Sequence, residues 1–144
     1  MKVRDTLPFV IAVLLAGCSS ETTSNQSIVG EWKLIHGESG DHQFTSKELA
    51  NTKLTFSKEH MTSESDEGPT RYTYRVFDEM SPKGLDLTPT TGGQTEHGIY
   101  QISGSELTIV LPNDRTNKRP SNFKVGRDAG ETTGEDLMKL KRLK

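Results

Sequence analysis

The sequence predicts an all-β domain, an antiparallel up-and-down barrel of about eight strands with one short helix. Three observations point there: short apolar stretches that alternate inward and outward, turn residues placed regularly between them, and only one short segment with helix signals. Closing such strands into a barrel also removes the exposed edges that an open sheet would present.

The chain opens on a different kind of segment. Lys2 and Arg4 precede an apolar run from Leu7 to Ala16, followed by Leu15-Ala16-Gly17-Cys18. That run is too short to span a bilayer and has the length of an export signal's central region. Residues 1–17 are therefore expected to be a removable leader, and 18–27 a modified cysteine followed by a flexible tether, because Ser19 to Ser27 is rich in Ser, Thr, Asn and Gln. The domain proper is then 28–144. Removing Lys2, Arg4 and Asp5 leaves sixteen basic and nineteen acidic residues, a net charge of −3, where the whole chain carries −2. That balance is a poor basis for binding nucleic acid. Only 31% of residues are hydrophobic, so the large apolar side chains of the domain must nearly all face inward. The single cysteine leaves no internal disulfide framework.

The first strand starts at Ile28, where alternation puts Ile28, Gly30, Trp32, Leu34 and His36 on one face. Gly37 to Asp41 reads as a loop, and Thr45-Ser46-Lys47-Glu48 as a capping box that starts a short helical turn ending at Asn51. Such a helix is expected to lie across the mouth of the barrel. Lys53 to Ser57 places Leu54 and Phe56 together, and His60 to Ser65 reads as a polar, exposed strand. After the Glu67-Gly68-Pro69 turn, Tyr72, Tyr74 and Val76 share a face; after Ser81-Pro82-Lys83-Gly84 come Leu85 and Leu87. Gly98, Tyr100 and Ile102 pair through the Ser103-Gly104-Ser105 hairpin with Leu107, Ile109 and Leu111. Phe123 and Val125 mark a further strand, Gly126 to Asp136 a polar loop, and Leu137 to Leu143 the closing strand.

Two resemblances follow from these residues. Leu15-Ala16-Gly17-Cys18 resembles the bacterial lipoprotein box, which implies that Cys18 is acylated, with palmitate-like chains, and becomes the new terminus. Two or three acyl chains suffice for stable anchoring, since each buried methylene adds roughly 0.8 kcal/mol. The implied location is the bacterial cell envelope, anchored to a membrane through Cys18, with Ser19 favouring the outer membrane or its periplasmic face. Gly30-Glu31-Trp32 resembles the Gly-x-Trp signature of lipocalins, which implies that a late arginine packs over the tryptophan. Arg142, on the face of Met138 and Leu140, is the candidate. Leu85-Asp86-Leu87-Thr88-Pro89, the stretch from Gly98 to Ile109, and Arg119-Pro120-Ser121-Asn122-Phe123 are similar to the lipocalin-like domain of planctomycete-type bacteria. That family implies a fold and no settled activity.

Chemistry is sparse. His36, His42, His60 and His97 lack metal-ligand spacing, and no nucleophile elbow or phosphate loop is present, so neither an enzyme nor a cofactor or metal is expected. Asp78 and Glu79 are adjacent, which sends them to opposite faces of a strand. Arg115, Lys118, Arg119, Lys124 and Arg127 form a basic cluster read as a solvated face. Trp32, Phe56, Tyr72, Tyr74, Tyr100 and Phe123 form the candidate ligand set, with two readings. They fill the barrel solidly, or they line a pocket in which tyrosine hydroxyls orient a small apolar or amphipathic molecule. The first reading turns the search toward a protein partner on the barrel's outside, the second toward a carried ligand.

Overall fold

The computed structural model describes residues 27–113, 117–125 and 135–143. The leader, Cys18, most of the tether, Arg115, Arg127 and most of the Gly126 to Asp136 loop lie outside the described residues.

Among the described residues nine strands form one antiparallel sheet: β1 (Gly30–Ser39), β2 (His42–Gln43), β3 (Lys53–Phe56), β4 (His60–Glu64), β5 (Thr70–Phe77), β6 (Lys83–Pro89), β7 (Glu96–Ser103), β8 (Glu106–Pro112) and β9 (Glu135–Arg142). From β3 onward, neighbours in sequence are neighbours in space, and β9 returns to pair with β1, which closes an eight-stranded barrel with β2 as a short extension of β1. The predicted fold class is the observed one.

The one helix among the described residues, α1 (Ser46–Asn51), starts at the predicted capping box. Thr45 Oγ1 accepts from the Glu48 amide at 3.3 Å, while the Glu48 carboxylate accepts from the Thr45 amide at 2.6 Å. That amide bond, more than any other contact, holds the Glu48 carboxyl below its ordinary range. Phe44 and Leu49 pack from this segment onto the barrel's apolar cluster. Gly37 makes room for this cover, because a Cβ there would stand 2.6 Å from the Phe44 ring.

Antiparallel order sorts the connections to two ends. The start of β1, the end of β9 and the turns β3–β4, β5–β6 and β7–β8 share the Trp32 end, while α1 and the connections β4–β5, β6–β7 and β8–β9 share the helix end. Between them the interior is filled by Trp32, Leu34, Leu54, Phe56, Leu85, Leu87, Leu107, Ile109 and Leu140, all exposed by 2% or less.

Three expectations need correction. A register shift between Leu34 and His36, where β1 pairs with β9, reverses the alternation, so Gly37 is buried and His36 stands opposite exposed Lys139. His36 therefore leaves the inward face and meets Glu38 at 2.6 Å. β4 is not an exposed polar strand: it is paired on both sides and buries Met61 between Phe56 and Tyr72. Residues 117–125 form no strand. Instead Val125 and Phe123 lie on the outside of the barrel against Ile99, Val110 and Leu137, a second small core separate from the interior.

Candidate functional site

The candidate ligand set does not come together as one group. Trp32 and Phe56 are buried in the interior. Tyr74 meets Phe56 edge-on at 5.2 Å between ring centroids, and Tyr100 is buried in the same cluster. Tyr72 is half-buried toward the helix end, opposite Met61 and Pro89, where burial and then nearby Glu96 push its hydroxyl up. Phe123 sits in the outer core with Val125 and joins none of the others.

At the Trp32 end the chain's entry is fixed by three hydrogen bonds. Trp32 Nε1 donates to the Ile28 carbonyl at 2.8 Å, and Arg142 donates to the carbonyls of Val29 at 3.0 Å and Ser27 at 2.7 Å. The Arg142 guanidinium stands 4.1 Å over the Trp32 ring, directly across the β1–β9 ladder. Gly30 permits this approach: its φ is +142°, and a Cβ would meet Arg142 Nη1 at 2.7 Å.

Beside this closure lies a half-open cleft of about 450 Å³. Ile28, Val29, Tyr74, Val76 and Tyr100 give it apolar and phenolic walls, and Lys58, Asp78 and Lys83 stand around it, while Arg75, at its edge, turns its guanidinium outward over the Phe77 ring. Tyr74 Oη donates to the Ser57 carbonyl at 2.5 Å, which holds the ring against the β3–β4 turn. Tyr100 Oη donates to Asp78 Oδ1 at 2.5 Å, and Lys83 Nζ is 3.4 Å from the same oxygen. Burial, followed by the Asp78 carboxylate, pushes the Tyr100 hydroxyl far above its ordinary range. The hydroxyl's own hydrogen bond, followed by Lys83, holds Asp78 below the ordinary carboxylate value against a smaller opposing effect of burial. A phenol made harder to ionise, beside a carboxylate made harder to protonate, is a poor pair for moving protons near neutral pH. It suits a fixed wall.

The chain matches no protein-family model, no curated protein and no solved structure.

The outer face carries a second polar constellation. Arg119 donates to Asp86 Oδ1 at 2.7 Å and to the Gly98 carbonyl at 2.6 Å, and its guanidinium lies 5.3 Å from the centre of the Phe77 ring. Asn117 accepts from the His97 amide at 3.2 Å and donates to the Thr95 carbonyl. His97 Nδ1 is 3.0 Å from the same Asp86 oxygen. These contacts pin residues 117–125 across β6 and β7, so Arg119 is a clamp and not one of the solvated charges expected of the basic cluster. Among the described residues no three His, Cys, Asp or Glu side chains come together.

Sequence reading missed the cleft's charged rim. Lys58, Asp78 and Lys83 stand in or beside turns of the same barrel end, so only the sequential strand order could have placed them together.

Proposed function

We propose that this chain is a lipid-anchored protein of the bacterial cell envelope whose lipocalin-like barrel is a non-catalytic binding module for a small amphipathic molecule. The cleft beside Tyr74 and Tyr100 is the observation that carries the reading. It combines apolar walls, phenolic rings and charge around unfilled space of a size suited to a small ligand. The pKa directions of Tyr100 and Asp78 support a wall over a proton-transfer pair. Acylation of Cys18, a leader over 1–17 and an envelope location are proposed from the sequence alone. No helix among the described residues is long and apolar enough to cross a membrane, so in this reading the acyl chains supply the attachment.

One observation favours a second reading. The barrel's lumen is occupied by a contiguous cluster of buried side chains, which suits a solid scaffold whose outer surface contacts another envelope protein.

Native mass spectrometry of the full chain, taken from its own envelope without detergent and followed by organic extraction, separates the two. The carrier reading expects a stoichiometric small amphiphile that is lost when Val76→Trp fills the cleft. Bare protein would overturn it in favour of the scaffold. Anchoring is tested by Cys18→Ser, which is expected to release the protein from membranes; unchanged retention would exclude acylation as the anchor.

A further inference from the structure

Resting on the reading that acylated Cys18 is the anchor, we infer that the barrel turns its Trp32 end to the membrane, which sets the cleft beside the bilayer and points the helix end away from it.

Three features distinguish the two ends. The first is where the chain enters. Arg142 holds the Ser27 and Val29 carbonyls and Trp32 holds that of Ile28, so the tether joins the domain at the Trp32 end, and the same three residues line the cleft. Ser27 lies nine residues beyond Cys18, a reach of about 30 Å at full extension. β5, with eight residues, covers about 26 Å along the strand and about 20 Å along the barrel axis at a tilt of about 40°. Bringing the helix end to the surface would stretch the tether back along the barrel over about two-thirds of that reach, an entropy cost that the opposite orientation avoids. The second feature is charge. At the helix end Lys47 offsets Glu48, and among the described residues Asp41, Asp66, Glu67, Glu96 and Asp136 outnumber Lys118. Burial, followed by Asp136, pushes the Glu96 carboxyl up, as crowded like charges do. At the Trp32 end Lys58, Lys83, Lys141 and Arg142 match Glu59, Asp78, Glu79 and Glu106. An anionic lipid surface therefore repels one end and not the other. The third feature is apolar exposure. Val29 and Met80, at 40% and 39%, lie at the Trp32 end; Ile35, the other large hydrophobic side chain exposed among the described residues, lies midway along β1.

The test uses the full acylated chain, reconstituted on phosphatidylcholine vesicles with and without phosphatidylglycerol. Because acylation occupies the Cys18 thiol, one introduced cysteine carries a fluorophore, and quenching by lipids spin-labelled at the headgroup reports how near it lies to the surface. Glu59→Cys and Ser105→Cys mark turns at the Trp32 end; Glu67→Cys and Thr91→Cys mark connections at the helix end. All four positions are exposed, so the variants are expected to fold, as thermal unfolding will report. Quenching is expected to be about threefold stronger at the first pair, with the contrast widened by phosphatidylglycerol and narrowed again by salt. Equal quenching at both ends, or stronger quenching at the helix end, on vesicles that retain the protein would overturn the orientation and leave the anchor reading intact. Protein that does not float with the vesicles would overturn the anchor reading, and this inference with it.

Discussion

The two walls of the barrel are built by different rules. Along β3, β4 and β5, side chains that face inward are buried or half-buried, while Thr73 and Arg75 on the other face meet solvent. Along β7 and β8, Ile99 and Val110 face outward and are as buried as their inward neighbours Tyr100 and Ile109. The second wall has an outer cover, residues 117–125, and among the described residues the first has none. Strict alternation is the sign of a sheet wetted on one side, and an unbroken apolar run such as Ile109-Val110-Leu111 is the sign of one covered on both.

The contrast can be broken by substitution. Leu140→Ala, an interior change at 0% exposure, sets the scale and is expected to lower unfolding stability by about 2–5 kcal/mol in urea titrations. Val110→Ala, on the outside of the covered wall, is expected to cost about 2 kcal/mol, since its side chain is equally inaccessible. Arg71→Ala, on the exposed outer face of β5, is expected to change stability by less than about 0.5 kcal/mol. Equal effects at Val110 and Arg71 would mean that the cover does not hold.

The clamp sharpens the same point. Arg119→Ala removes two charge-assisted hydrogen bonds and leaves Asp86, whose side chain is 17% exposed, without its guanidinium. The expected loss is about 1.5 kcal/mol, together with faster protease cleavage within 117–125 while the uncovered wall keeps its resistance. Unchanged cleavage there would show that the apolar contacts of Phe123 and Val125 suffice.

What the sequence disclosed followed from local rules. Turn residues, period-two alternation and the Thr45–Glu48 capping box placed the closed barrel and its helix, because each acts within a few residues. What it hid was decided by distant partners. Phe123 and Val125 alternate like a strand, but β9 already pairs with both β1 and β8, so the closed sheet offers no edge for another. His36 has the inward phase until the bulge before it shifts that phase by one residue, and nothing at Leu34-Ile35-His36 announces the shift. The cleft's lysines, Lys58 and Lys83, come from separate turns, and their convergence is a property of closure.

A smaller effect than the clamp's tests the floor of the cleft, where the interior core meets solvent. Tyr100→Phe keeps the ring and deletes the hydrogen bond to Asp78, so near neutral pH it is expected to cost about 1 kcal/mol. Its pH dependence carries the sharper information. Asp78 is held below its ordinary value of 3.8, so its contribution is present above that pH and is lost as pH falls from there through the lower folded value. Tyr100 is held above its ordinary value of 10.0, so its contribution is present below that pH and is lost as pH rises beyond it toward the folded value. The stability curves of wild type and Tyr100→Phe are therefore expected to lie furthest apart between these limits and to approach one another at both ends. The acid approach is the shallower, because the Asp78 side chain is half exposed and solvent screens it. A constant gap from acid to alkali would show that the hydroxyl contributes through packing alone, and that Asp78 is free to meet a ligand directly.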